Sequence, residues 1–418
     1  MSKPDRPKLD LATLRRLPRG IWALGLVSLW MDVSSEMIHA LLPVYLVSAM
    51  GASMVAVGFI EGLAESTAAI TKVFSGALSD WLGKRKVLAV AGYGLAALTK
   101  PVFPLAPTIG WLVGARFIDR VGKGIRGAPR DALVADIAPP EMRGASFGLR
   151  QSLDTVGAFL GPLTAVLLMW LTAGNIPLVF WAAVAPAFVS VLLLVTLVPE
   201  PERPAGTQPV KSPLSLRELR RMGGAFWWVV AVASVFTLAR FSEAFLVLKA
   251  HDEGVPATLI PFVLVIMNVS YALSAFPAGV MSDNGSRLRI LAVGTVLLLG
   301  ADLVFALVPG LGGVLVGLVL WGVHMGFTQG IFSSLVADTA PPALRGTGFG
   351  MLNLMTGGMI LLASVIAGLL WDSVGPEGTF LAGGGLAVLA LAGLVPLRRA
   401  LHGPAAVRAE GGESGPRG

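Results

Sequence analysis

The chain has 418 residues, 55% hydrophobic and 14% charged, with a formal net charge of +7 and no cysteine. Soluble proteins carry about a quarter charged residues, so a soluble class is excluded, as are disulfides and thiolate metal sites. Apolar runs of about 20 residues recur, each long enough to cross ~30 Å of hydrocarbon as a helix, and the alternating segments of a membrane β-barrel are missing.

The predicted spans are Ile21–Ala49, Val55–Leu78, Val87–Leu105, Thr108–Val134, Phe147–Leu171, Pro177–Leu197, Ala225–Leu248, Thr258–Met281, Leu288–Val308, Leu311–Ala337, Phe349–Trp371 and Gly378–Leu397. The fold class is therefore all-α integral membrane, with about twelve helices. The basic stretch ahead of the first span (Lys3, Arg6, Lys8, Arg15, Arg16, Arg19) carries no cleavable signal, and that span reads as permanent. Lys84–Lys86, Arg143, Arg217–Arg221, Arg287, Arg345 and Arg398/Arg399 fall on one side with both tails. Basic loops stay in the cytoplasm, so both termini are expected there, in a prokaryotic cytoplasmic (inner) membrane. The same placement makes the basic excess a topology signal rather than a nucleic-acid footprint. The Pro-rich segment Pro199–Pro213 divides the chain into 1–198, a linker at 199–223 and 224–418. Within the linker, Leu214–Arg221 reads as a basic amphipathic turn on the membrane surface.

The two halves are related. Leu133–Gly148 (LVADIAPPEMRGASFG) matches Leu335–Gly350 (LVADTAPPALRGTGFG) at an offset of 202 residues. Gly76-Ala-Leu-Ser-Asp80 matches Gly279-Val-Met-Ser-Asp283 at 203. Parallel repeats of six spans point to a transporter with a site near the membrane midplane.

The loop Gly76-Ala-Leu-Ser-Asp80-Trp-Leu-Gly83-Lys84-Arg85-Lys86 and its degenerate copy Gly279…Asp283…Gly285-Ser-Arg287 resemble the signature between spans 2 and 3 of the major facilitator superfamily. Arg116 stands where that family carries a span-4 arginine, although Asp119-Arg120 replace its usual Gln-Gly. Gly157-x-x-x-Gly161-Pro162 resembles the span-5 antiporter motif without its following Gly-Gly. The resemblance implies two pseudo-symmetric six-helix bundles working by alternating access. It also implies a cytoplasmic gate, for which Asp80, Arg85, Arg130, Asp131 and Asp283 are the candidates. The wording around Gly122–Leu133 resembles a poorly assigned prokaryotic efflux-type branch.

Charges inside spans are costly, about 2.5–3.5 kcal/mol each at the bilayer centre on insertion scales, and mark functional sites by default. Span 1 places Asp32, Glu36 and His39 on one helical face. Span 2 carries Glu61, Glu65 and Lys72; Glu61 is either membrane-embedded or solvated at the surface. Lys100, before Pro101, is expected to snorkel outward. Span 4 holds Arg116, Asp119, Arg120, Lys123, Arg126 and Arg130 in one polar stripe. At offset 202, Arg116, Asp119, Lys123, Arg126 and Arg130 are answered by Leu318, Trp321, Met325, Thr328 and Phe332. Span 5 adds Arg150 and Asp154, either an intrahelical pair or partners of span-4 arginines, with Leu352 and Thr356 as counterparts. The second half makes the same helices without these charges, which favours function over scaffold. It retains Arg240, Glu243, Asn268 and His324, and a Met351/Met355/Met359 stripe whose default role is packing.

Gly122-x-Gly124-x-x-Gly127 is no dinucleotide fingerprint, since no βαβ unit surrounds it; the glycines serve close helix packing or a kink. No catalytic constellation and no ATP-binding loop is present, so the chain is read as a non-enzyme without cofactor or bound metal. The expectation is a monomeric, proton-coupled secondary transporter, an antiporter exporting a small organic compound. Proton coupling falls to Asp32, Glu36, Glu65 and Asp154, and substrate contact to Arg116, Lys123, Arg126, Arg150, Glu243, Asn268 and His324. Import of a metal ion, metal chelate or organic anion stays open, as does a non-transporting receptor or scaffold.

Overall fold

A computed structural model describes residues 16–82, 84–139, 142–200, 221–284, 286–341 and 344–402. Residues 201–220, most of the linker and of its amphipathic turn, lie outside them, as do the side chains of Asp80 and Asp283. The helices are α1 (Arg19–His39), α2 (Leu42–Ser48), α3 (Met54–Leu82), α4 (Arg85–Thr99), α5 (Val102–Leu105), α6 (Ile109–Ile137), α7 (Arg143–Leu171) and α8 (Ile176–Leu197). After the linker come α9 (Gly224–Ala239), α10 (Ala244–Asp252), α11 (Phe262–Asn284), α12 (Arg287–Leu307), α13 (Gly310–Thr328), α14 (Ile331–Thr339), α15 (Arg345–Val374) and α16 (Pro376–His402).

Among the described residues, ten helical stretches are long and apolar enough to cross a bilayer, and α11 contains a shorter apolar stretch, Phe262–Ala275. The 29-residue α6 falls below the apolar threshold because of its charge stripe, and completes the twelve-span layout. Outward faces are apolar, with Leu167, Trp170, Leu192, Val296, Leu307 and Leu389 exposed. Lipid tails are no less apolar than leucine, so such a surface costs nothing in a membrane.

Four predicted spans are broken rather than continuous. Span 1 breaks at Ala40–Leu41, where Pro43 in the first turn of α2 cannot donate into the preceding turn. Span 3 breaks at Lys100–Pro101 for the same reason. Span 7 breaks at Arg240–Glu243 without a proline; there the Ser242 hydroxyl accepts from the Ala244 amide at 3.3 Å and displaces the helical bond. Span 10 breaks at Gly330, whose φ of 83° lies in the left-handed region open to glycine.

The chain divides into two compact units. One takes the described residues within Met1–Ala52, Leu63–Lys211 and Val255–Val265, the other those within Ser53–Gly62, Ser212–Gly254 and Ile266–Gly418. In the first unit α1 packs on α7 and α8, and α4 on α6 and α8. Two buried serines bind α1 to α8: Ser34 Oγ donates to the Ala183 carbonyl at 2.6 Å and Ser190 Oγ to that of Val27 at 2.7 Å. The apolar centre gathers Ile21, Leu24, Val27, Tyr93, Leu133 and Leu194.

The second unit pairs the equivalent spans, α9 with α15 and α16, and α12 with α13 and α16. Its core joins Phe226, Val229, Leu291, Leu335, Val336 and Leu397, and Met351 and Met355 pack against it, the packing role expected of that stripe for two of its three methionines. Asp372, near the end of α15, accepts from the amides of Met54 and Val55 at 3.1 and 3.0 Å. A carboxylate there satisfies orphan N–H groups at a positive helix end.

Candidate functional site

The charges of α6 form a ladder of ion pairs with the helices around it in the first unit. At its first rung Lys100 Nζ donates to Asp119 Oδ1 at 2.9 Å and to Ser35 Oγ at 3.1 Å. Lys100 is 1% exposed, so the expectation that it snorkels outward is overturned. The chain break at Pro101 turns its ammonium inward, where a buried carboxylate is a stronger partner than a distant headgroup.

Arg120 follows, 3.0 Å from Glu65 on α3 and 3.7 Å from Asp119. Arg126 lies 3.8 Å from Asp32 on α1 and covers the Tyr93 ring at 4.5 Å. A cation over an aromatic face gains from the ring quadrupole. Arg130 then donates to Ser28 Oγ at 3.1 Å and lies 3.3 Å from Asp131 and 3.7 Å from Asp154. Arg150 pairs with Asp154 on its own helix, approaches Asp131 at 3.8 Å and donates to Gln151 Oε1 at 2.8 Å. Both alternatives for Asp154 therefore hold together: it is an intrahelical partner and a partner of a span-4 arginine. Arg116 is buried on the same helix, Lys123 is exposed, and Glu36 pairs with His39 at 3.2 Å. Glu61 is buried, which removes its reading as a solvated surface group.

Three of these pairs share an asymmetry. The acid is partly open and the arginine is not: Glu65 is 40% exposed against 2% for Arg120, Asp32 26% against 6% for Arg126, and Asp131 35% against 9% for Arg150. Close helix contacts set the spacing. A Cβ at Gly157 would stand 2.7 Å from the Leu29 carbonyl oxygen and 3.0 Å from Asp32 Cβ, and one at Gly161 2.7 Å from Glu36 Cβ. The span-5 motif is thus the place where α7 touches the acidic face of α1. Gly122 and Gly124 likewise press α6 against Gly92 of α4 and Ala68 of α3, the packing role expected of them.

At the cytoplasmic end expected from the sequence, Arg85 pairs with Asp136 and donates to the Ala132 carbonyl at 3.0 Å. Arg287 pairs with Asp338 in the second unit, so this bond recurs at the repeat offset of 202. Among the other second-unit candidates, Arg240 and Glu243 pair at 3.2 Å within the span-7 break, and Asn268 is half-buried on α11. His324 is fully buried between Phe236 and Trp321, with Thr328 Oγ1 3.5 Å from Nδ1. Lys249, near the end of α10, bonds Glu253, which also accepts from the Gly310 amide at 2.6 Å. These two donors hold the Glu253 carboxyl below the usual carboxylate range.

Sequence reading missed three participants. Ser28 and Tyr93, 3.3 Å apart, carry no charge to flag them. Asp302 did carry a signal, as the one ionisable residue between Arg289 and Val308. Among the described residues, no group of three or more His, Asp or Glu side chains converges as a metal set would.

Comparisons with known proteins follow the same outline. The model of the Major Facilitator Superfamily matches residues 24–357 and again 244–417. An uncharacterized MFS-type transporter of Methanocaldococcus jannaschii is 31% identical over 90% of this chain and 94% of its own. Multidrug resistance protein MdtH of Photorhabdus laumondii is 24% identical over 77% of this chain and 80% of its own. The crystal structure of a POT family transporter in complex with 5-aminolevulinic acid superposes with a TM-score of 0.76 at 14% identity, covering 92% of this chain and 96% of that one.

Proposed function

Because the chain belongs to the Major Facilitator Superfamily, whose members are transporters rather than enzymes, we propose that it is a proton-coupled antiporter exporting a small organic compound. The carrying observation is the set of partly open carboxylates each held by a buried guanidinium. A proton arriving at Asp32 or Glu65 removes the counter-charge of Arg126 or Arg120. Stranding one partner of a fully buried pair costs roughly 3–5 kcal/mol, and these half-open pairs, with Asp119 still 3.7 Å from Arg120, give less. Moving a two-state equilibrium from 1:99 to 99:1 takes about 5.5 kcal/mol, so several protonations acting together would switch the unit. A fixed scaffold would need no accessible acids, and the repeat dispenses with these charges altogether.

On this reading Asp32, Glu36, Glu65 and Asp154 carry protons. Lys123, together with Arg116, Arg126 and Arg150, receives an anionic or polar group of the cargo. Glu243, Asn268 and His324 are the second unit's candidate contacts. Asp80, Arg85, Arg130, Asp131 and Asp283 form the gate, and the halves 1–198 and 224–418 sit in a prokaryotic cytoplasmic membrane with termini inside. The direction of transport rests on the MdtH relative and the span-5 motif.

Proteoliposomes enclosing a pH-sensitive dye test this with a panel of organic anions, drugs and chelates. A cargo gradient should drive counter-movement of protons in the native protein and not in Asp32→Asn or Glu65→Gln. Cargo flux indifferent to an imposed pH gradient and to both substitutions sinks the proposal.

A further inference from the structure

Asp302 lies deep in α12 and is fully buried. Neither carboxyl oxygen has a hydrogen-bond partner among the described residues. Among the described side chains it makes no ion pair with a charged group on the elements packed against it. Those described are His324 on α13, Asp338 on α14, Glu377, Arg398 and Arg399 on α16, and Arg287 and Arg289 on its own helix. Arg240 and Glu243 at the span-7 break pair with each other, and Arg287 pairs with Asp338.

The surroundings are aromatic and backbone. A Cβ placed on Gly383 of α16 would be 3.1 Å from Asp302 Oδ2, 3.0 Å from the Phe241 ring and 3.4 Å from the Ala239 carbonyl oxygen. Gly383 thus brings the carboxyl, the Phe241 ring of the unwound turn and the carbonyl of the last residue of α9 around one point. A lone carboxylate has no place in such surroundings, whereas a neutral carboxylic acid has a proton to donate to an acceptor such as the Ala239 carbonyl. Unwound backbone and helix C-terminal ends are also what transporters present to bound ions.

We propose that Asp302 is a proton-binding site of the second unit, held as the neutral acid against the broken helix at 240–243, and that losing its proton to water opens that turn. The role in transport rests on the reading above; the protonation and the opening do not. The ladder of the first unit and this acid then form separate titrating elements in the two halves of the repeat.

Hydrogen exchange of the full-length protein in lipid nanodiscs tests this. After correction for intrinsic amide exchange, protection across residues 236–246 should fall about tenfold per pH unit above the ordinary Asp pKa of about 3.9, because one proton is released per opening. Asp302→Asn should flatten that slope, and Asp302→Glu should keep one. A pH-independent wild-type segment overturns the proposal whether or not the variants fold, as does an equal slope in Asp302→Asn. The infrared difference between wild type and Asp302→Asn should contain a protonated-carboxyl band at neutral pH, and an ionised-carboxylate band in its place also overturns it. A normal slope without proton-coupled flux would remove the transport reading and leave this site standing.

Discussion

The contact of α7 with α1 fixes where Asp32 and Glu36 stand, and Gly161→Ala perturbs it with one methyl group. The new Cβ would lie 2.7 Å from Glu36 Cβ, 2.9 Å from the Val33 carbonyl oxygen and 3.4 Å from the Met37 amide nitrogen. Carbon atoms settle at about 3.5–4.0 Å, so α1 must retreat by roughly 0.8 Å or more. Overpacking of this kind costs about 1–3 kcal/mol, and the better helix propensity of alanine returns about 1 kcal/mol. Gly148 on the same helix has nothing within 4 Å of its added Cβ, so Gly148→Ala keeps the gain without the clash. Gly161→Ala should therefore be less stable than Gly148→Ala by about 1–3 kcal/mol. In a unit of this size that is roughly 2–12 °C in thermal midpoint, read by tryptophan fluorescence in one detergent. Proton-coupled flux should fall in Gly161→Ala and persist in Gly148→Ala. Equal midpoints would refute the tight crossing, and with it the account of how the acids are positioned.

Lys100→Met should destabilise by about 1.5–3 kcal/mol because Asp119 loses its 2.9 Å donor and keeps only Arg120 at 3.7 Å, and Lys100→Met with Asp119→Leu should recover most of that; a double-mutant cycle on thermal midpoints measures it. Arg287→Gln should cost no more than about 1 kcal/mol, since its pair with Asp338 is largely exposed. Arg85→Gln, which also loses the bond to Ala132, should cost more in the same assay. Glu253 has a lowered folded-state pKa, so its contribution is present above the unfolded value of about 4.3 and fades as pH falls through the folded value. Acid titration of the midpoint should show this loss in wild type and a flatter curve in Glu253→Gln.

Helical spans, the repeat and the embedded charges were legible in the sequence because each is a property of composition or of spacing along one helix. The residues between Gly76 and Gly161 also announced the family, through a loop and two glycines whose types the packing requires. The broken spans were only partly legible. Pro43 and Pro101 mark two breaks, but Pro129, Pro162, Pro186, Pro277 and Pro396 sit inside helices that continue. Neighbouring helices in a membrane can satisfy the freed carbonyls, so a proline by itself does not fix a break.

Composition and periodicity settled by themselves that this chain is a twelve-span membrane protein of two related halves, with ionisable groups concentrated in the first. Tertiary packing decided which charges meet. It turned Lys100 inward onto Asp119, gave Asp154 two arginines, left Glu65, Asp32 and Asp131 more open than the arginines they meet, and left Asp302 without a partner among the described residues. The physical reason is that a helix fixes only the direction of its own side chains. The balance between desolvation and attraction that governs a buried charge is set by groups far away in sequence, brought close by glycine contacts between helices.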